Sequence, residues 1–209
     1  MKSEREYATE IIANAPGPRV TVLELGAHHG NDTVLLYDAA TKPITYVAVE
    51  ADPRNVPLLE RRIERRPVNI LHAAIWHEDG QAVLHLSEGR GDGSSSVRKP
   101  LKHLDHFPDI AFVGTVPVPA VTLDWVAARY GIEQVDLIWC DIQGAERNMI
   151  AGGRETLART RWLLTECDRI EMYEGQATRD ELLKLLPDWE LIAEWPENAN
   201  LLLRNRRLN

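Results

Sequence analysis

The 209-residue sequence contains only two cysteines, Cys140 and Cys167, each at the end of an apolar run. Two thiols so placed support neither a disulfide framework nor a cysteine-based zinc site, and a reducing, cytoplasmic setting is expected. No apolar run reaches the roughly 18 residues of a membrane helix, so no membrane span is expected. The opening Met-Lys-Ser-Glu-Arg-Glu-Tyr lacks the apolar stretch of a signal peptide. Positive charge is also scarce: 24 Lys and Arg stand against 32 Asp and Glu, a formal net charge of -8. Neutralising phosphates needs an excess of Lys and Arg, so a nucleic-acid partner is not expected. Arg61, Arg62, Arg65 and Arg66 crowd one expected helix, but Glu60 and Glu64 interleave with them as on a solvated face. A small acidic or neutral metabolite suits this balance better.

The residues that are present alternate between strand-length apolar runs and amphipathic stretches. That order predicts an α/β fold, a doubly wound, mostly parallel sheet with helices on both faces. One domain over 1–209 is expected, with an N-terminal helix in 1–17 and an irregular, lid-like segment over 88–115. Expected strands are Val20 to Leu25, Ile44 to Glu50, Val68 to Ala74, Val116 to Val121, Val135 to Asp141 and Arg161 to Glu166. Gln81 to Leu86 alternates like an exposed strand, and Trp189 to Trp195 with Asn200 to Arg204 form a closing antiparallel pair. Helices are expected over Glu4 to Asn14, Asn31 to Ala40, from Pro53 onward, Thr122 to Tyr130 and Ala145 to Ala158. Thr178 and Glu181 form a capping-box pattern ahead of Leu182.

In such sheets ligands bind beyond the C-terminal ends of the strands, where strand order reverses. The first strand ends in Glu24-Leu-Gly26-Ala27-His28-His29-Gly30. Gly26 and Gly30 let the backbone pass close to a ligand. The second strand ends in Glu50, about 20 residues further on, where a carboxylate can accept hydrogen bonds from ribose hydroxyls. A nucleoside-type ligand follows. A dinucleotide fingerprint would place glycine where His28 stands, and Glu24 would repel a pyrophosphate but attract a positively charged ammonium. The pattern therefore weighs against a nicotinamide-dependent oxidoreductase.

With these motifs the sequence resembles the FkbM family of S-adenosylmethionine-dependent methyltransferases. The anchors run in order: Leu23-Glu24-Leu25-Gly26-Ala27 with Gly30, Val49-Glu50-Ala51, His72-Ala73-Ala74-Ile75 and Gly93-Ser94-Ser95-Ser96. Thr122-Leu123-Asp124, Asp141-Ile142-Gln143-Gly144-Ala145-Glu146 and Glu166 complete them. The resemblance implies a class I, Rossmann-like fold and S-adenosylmethionine as cofactor. It implies that Glu24, Gly26 and Gly30 hold the methionine half, Glu50 the ribose, and Ala74 with its neighbour Ile75 flanks adenine, with Ala27 and Ala51 as further cofactor contacts. It also implies an acceptor hydroxyl on a sugar or hydroxylated natural product; nitrogen or carboxylate acceptors are the alternative. The family usually carries Glu where this chain has Gln143, so no role of that carboxylate carries over.

Methyl transfer to oxygen needs alignment and a base. Asp141, at the end of a central strand, is the leading base as well as a cofactor contact; capping the following helix is its plainer role. His28 and His29 sit in the cofactor turn, where either could reach a hydroxyl or simply pack. His103 and His106 fall in the irregular segment. Asp141, Glu166 and Asp168 could jointly hold Mg²⁺, which prefers oxygen ligands. Ser94, Ser95, Ser96, Gln143 and Glu166 are expected to face the substrate or its lid, the Gly-Ser stretch from Glu88 to Ser96 supplying hinges. Arg98 and Lys99 are placed to neutralise an acidic substrate group. With no appended substrate domain, selectivity falls to the middle loop, the N-terminal helix or a partner subunit, as in a homodimer.

Overall fold

The structure is a computed structural model that describes residues 2–89 and 92–208, with the side chain of Asp92 left aside. The Arg90-Gly91 part of the expected hinge lies outside the described residues. The strands of the main sheet are β1 (Val20–Leu25), β2 (Ile44–Glu50), β3 (Asn69–His72), β7 (Val135–Cys140), β8 (Thr160–Glu166), β9 (Trp189–Trp195) and β10 (Asn200–Asn205). Their order is β3-β2-β1-β7-β8-β10-β9. All neighbours are parallel except β10, which runs antiparallel to β8 and β9. The chain moves outward in one direction from β1 to β3 and in the other from β7 to β8. The reversal therefore falls between β1 and β7.

Two apolar layers cover the sheet. On one face α1 (Glu4–Ala13), α2 (Asn31–Asp38) and α3 (Val56–Ile63) bury Ile12, Leu36, Leu59 and Ile63 against Val20, Val22, Tyr46, Ala48 and Leu137. On the other, α5 (Leu123–Arg129), α6 (Glu146–Ala151), α7 (Arg154–Ala158) and α8 (Arg179–Leu185) cover Leu23, Leu25, Val47, Val49, Ile138 and Leu163. Strand residues alternate between these two faces, which is why the central strands read as unbroken apolar runs. Ser3 closes α1 with a capping box to Glu6, and Thr178 does so for α8 with Glu181. Among the described residues no helix is long and apolar enough to cross a membrane.

Several boundaries depart from the sequence reading. Pro53 does not open a helix: Asp52 folds residues 52–55 into a turn by accepting from the Arg54 and Asn55 backbone N–H groups, and Pro57 is the proline of the first turn of α3. The third strand stops at His72, and the chain then changes sheets. Ala74–Ile75 forms β4, paired with β6 (Ile110–Val121), which also pairs with β5 (Gly80–Gly89). Most of the lid-like segment's ends are thus strand, since residues 88–89 and 110–115 belong to this second sheet. Between them lie the 3₁₀ turn Asp92–Ser94 and the short α4 (His103–His106). Pro117 and Pro119 hid the length of β6 from the sequence. They fit because β4 meets β6 only at Ala120 and Val121, leaving that edge free where the prolines lack donors. The expected helix from Ala145 to Ala158 breaks at Gly152-Gly153, where a Cβ would sit 2.6 Å from the Trp76 carbonyl oxygen and 2.6 Å from Leu123 Cδ2, respectively.

Candidate functional site

The register of the main sheet creates the site. Leu25 pairs with Val49 on one side and Cys140 on the other, and Cys140 pairs with Thr165. One step further along each strand stand Glu50, Gly26, Asp141 and Glu166, a row of three acids and a glycine across the C-terminal edge. Above β2, β1 and β7 opens a cleft of ≈ 250 Å³. Its wall includes Glu24, Gly26, Ala27, His28, Glu50, Ala51, Ala74, Ile75, Ser95, Ser96, Asp141 and Gln143.

Gly26 has φ +86°, and its missing Cβ would lie 1.8 Å from the Asp141 carbonyl oxygen. Strand packing, before any ligand is considered, thus demands glycine here. Gly30 serves a related purpose away from the cleft: at φ +80° it starts α2 beneath α3, where a Cβ would meet Leu59 Cδ1 at 2.7 Å. It does not line the cleft, which corrects its expected place beside the cofactor. Glu24 is buried, and its Oε2 accepts from Thr33 Oγ1 at 2.6 Å and Tyr46 Oη at 2.9 Å. Burial pushes its carboxyl up to about 8, against the pull of those two hydrogen bonds. Its Oε1 has no hydrogen bond among the described residues.

Glu50 is held by backbone. Its Oε2 accepts from His28 N at 2.6 Å, and its Oε1 accepts from Asp52 N at 2.8 Å and from Asn55 Nδ2 at 3.4 Å. Oε2 keeps a lone pair to spare, and burial raises the group above the usual range. His28 takes a left-handed conformation, φ 49°, to bring its N–H to Glu50, and its ring stacks on His29 at 3.7 Å between centroids. His29 does not reach the cleft. Its Nε2 meets Asn55 Oδ1 at 3.1 Å, and it borders a separate hollow with Arg61 and Arg62. A base role for His29 loses its geometry.

At the tips of β7 and β8, Gln143 Nε2 donates to Asp141 Oδ1 at 2.6 Å and to Glu166 Oε2 at 2.7 Å. Tyr173 Oη donates to Gln143 Oε1 at 2.8 Å and shares its proton with Ser94 O at 3.0 Å. Burial and the charge of Asp141 hold Glu166 well above the usual carboxylate range. Nearby, burial pushes the Glu146 carboxyl up to about 7. Asp168 does not join this cluster. It accepts from Gln176 Nε2 at 3.3 Å and borders another hollow with His106 and Cys167. The proposed Mg²⁺ set of Asp141, Glu166 and Asp168 is not assembled, and among the described residues no three His, Cys, Asp or Glu side chains form a metal-holding group.

The serines are pinned. Ser95 Oγ donates to Asp52 Oδ2 at 2.9 Å and receives Ser87 N at 3.1 Å, while Ser96 Oγ donates to Gln143 O at 2.6 Å. Ser94 is buried and presents its carbonyl to Tyr173. Arg98 is occupied by the Glu174 carbonyl, Asn148 Oδ1 and the Trp76 ring, and Lys99 pairs with Glu174 at 3.3 Å. Neither is free to neutralise an acidic substrate group as expected. His103 packs among Phe107, Phe112 and Tyr173, and burial lowers its pKa.

A model of the FkbM methyltransferase domain matches residues 24–195, which span every one of these positions from Glu24 to Tyr173. The chain belongs to the FkbM methyltransferase family. Within the curated proteins, 2-O-methyltransferase NoeI of Sinorhizobium fredii is 34% identical over 213 aligned positions, covering 95% of this chain and 85% of the relative. Solved structures share the fold at low identity. Monomeric WbdD superposes with TM-score 0.52 at 16% identity over 96% of this chain, which spans only 39% of that protein. The O-methyltransferase from Bacillus cereus gives 0.52 at 13% identity, with 97% and 81% coverage.

For this FkbM methyltransferase the sequence reading missed Tyr46, Thr33, Asn55 and Tyr173. Tyr46 and Thr33 flank Glu24 from β2 and α2, and Asn55 braces Glu50. A tyrosine in an otherwise aliphatic buried strand was the one available signal for Tyr46, because its hydroxyl needs a partner. Tyr173 comes from an irregular stretch 30 residues beyond Gln143, and nothing in the local pattern points to it.

Proposed function

We propose that this methyltransferase uses S-adenosylmethionine to methylate a hydroxyl group of a sugar or hydroxylated natural product. The carrying observation is the row of Glu50, Gly26 and Asp141 at one cleft, with Glu24 beside it. A buried carboxylate whose oxygens are braced by backbone N–H groups suits a ribose diol, so Glu50 is the residue to hold it, with Ala51 adjacent. Glu24 lines the same cleft, where its carboxyl suits the ligand's ammonium, and Ala27 lines it too. Ala74 and Ile75 supply an apolar wall for adenine. Bound there, the cofactor supplies a methyl group already activated on a sulfonium.

The chain's own work is alignment and proton removal. Alignment of reacting groups can lower a barrier by about 7–11 kcal/mol. Asp141, exposed at the tip of β7, is the base that takes the hydroxyl proton, and His28 borders the same space. Ser95, Ser96 and Gln143 border the acceptor side of the cleft. The name of NoeI, a 2-O-methyltransferase, supports oxygen as acceptor. A panel of methyl glycosides and hydroxylated metabolites, incubated with S-adenosylmethionine and read by mass spectrometry, tests this. Products carrying one added methyl on oxygen are expected; methylation confined to amines or carboxylates would refute it.

A further inference from the structure

Gln143 does more than border the cleft. It is one of few non-glycine residues here with positive φ, at 50°, in the turn directly after β7. Left-handed backbone is unfavourable for a residue with a side chain, so the turn must gain something from it. What it gains is a side chain with every polar atom in use. The amide nitrogen spends both hydrogens, one on Asp141 and one on Glu166, while its oxygen accepts from Tyr173. The backbone carbonyl of Gln143 accepts from Ser96. Tyr173 also fixes the sense of the amide, because only oxygen can accept there.

The consequence falls on Asp141. Its Oδ1 accepts from the Gln143 amide, and the Asp141 and Glu166 side chains are themselves hydrogen-bonded neighbours. The carboxyl is thereby held from two sides at the wall of the cleft. The groups around it are acidic or neutral: Glu166 from β8, Glu146 from α6 and the Tyr173 hydroxyl from the following loop, with the charge of Asp168 acting from outside the cluster. Among the described residues no Lys or Arg forms an ion pair with Asp141 or Glu166. A donor at position 143, shared by both carboxyls, therefore helps hold them together without a cation between them.

We propose that Gln143 is a positioning residue of the transfer reaction, its Tyr173-anchored amide tying Asp141 to Glu166 so that the Asp141 carboxyl is held toward the acceptor hydroxyl. In the step itself the acceptor's O–H proton passes to Asp141 while its oxygen forms the new bond to the methyl carbon. The departing sulfur keeps the electron pair of the bond that breaks, and the proton is later released to water. This inference rests on Asp141 being the base.

The test compares Gln143→Glu, which keeps the shape but replaces the donor, with Tyr173→Phe, which keeps the donor but removes its anchor. Turnover is measured from acid to alkaline pH on a methyl glycoside accepted by the wild type, and affinity for S-adenosylhomocysteine by calorimetry. Gln143→Glu is expected to cut kcat roughly tenfold or more near pH 6. Its acid limb moves to higher pH, because a donor is lost and a carboxylate is added beside the two acids. Tyr173→Phe lowers kcat less and leaves the limb in place, and both variants keep cofactor affinity. A readout free of acceptor is the Gln143 side-chain amide in the NMR spectrum, whose protons should be protected from solvent and shift on Asp141→Asn or Glu166→Gln. An unmoved limb with wild-type kcat in Gln143→Glu, or a rapidly exchanging amide insensitive to both acid variants, overturns the proposal while leaving Asp141's role intact. Full activity of Asp141→Asn overturns the role of Asp141 and the proposal together.

Discussion

The α-carbon of Gly26 faces the backbone of Asp141 so closely that a methyl group on it would stand 1.8 Å from the Asp141 carbonyl oxygen. This contact joins the two strands at which the chain reverses its direction across the sheet, and it brings the expected methionine end of the cleft against the expected base.

Gly26→Ala should accordingly damage the fold before it damages binding. Positive φ and a collision with backbone act together, for a loss of about 3 kcal/mol or more. Urea denaturation would show it as a lower midpoint; a variant within about 0.5 kcal/mol of wild type, the ordinary scatter of surface changes, contradicts the packing argument.

Glu50→Gln preserves size but replaces a carboxylate braced by the His28 and Asp52 backbone N–H groups. Affinity for S-adenosylhomocysteine should fall by roughly 1–3 kcal/mol, the scale of charged hydrogen bonds lost. Titration calorimetry reads it directly, and unaltered affinity removes Glu50 from the ribose.

Glu24 makes the ligand-free protein and the complex respond to pH in opposite senses. Its folded pKa of about 8 lies above the unfolded value near 4.5, so the folded state binds more protons between them. Stability from this group is full below the unfolded value and is lost as pH rises toward 8; Glu146, pushed up to about 7, acts in the same direction. A cationic ligand favours the ionised form, so cofactor affinity should instead rise from about pH 6 to neutrality, by up to roughly tenfold per unit, with proton release on binding. Calorimetry in buffers of differing ionisation enthalpy measures that proton, and Glu24→Gln should abolish it.

Asp141→Asn should depress turnover by about 10²–10⁴-fold while S-adenosylhomocysteine affinity stays near normal. Single-turnover assays separate the two quantities. Loss of affinity with unchanged chemistry would make Asp141 a cofactor contact alone.

Ser95→Ala removes the hydroxyl that links Asp52, Ser87 and Arg54 across the cleft's rim. Burial pushes Asp52 up, but hydrogen bonds from Arg54 and Ser95 outweigh it and hold its pKa low. The substitution should raise the KM for S-adenosylmethionine and speed proteolysis between β5 and β6, with kcat little changed. Equal proteolysis rates would show that the segment is anchored elsewhere.

The amino-acid pattern by itself determined the order of strands and helices, because burial on two faces forces apolar runs and amphipathic stretches that local sequence displays openly. It also marked Glu24, Gly26, Glu50 and Asp141, which follow or end such runs. Only the tertiary structure decided that Glu50, Gly26, Asp141 and Glu166 stand in one row, since that depends on which strands pair and in what register. The same holds for the outward turn of His29, the separation of Asp168 from Asp141, and the union of Gln143 with Tyr173. Hydrogen bonds between side chains distant in sequence leave no periodic trace in either partner, so the chain must be folded before they can be read.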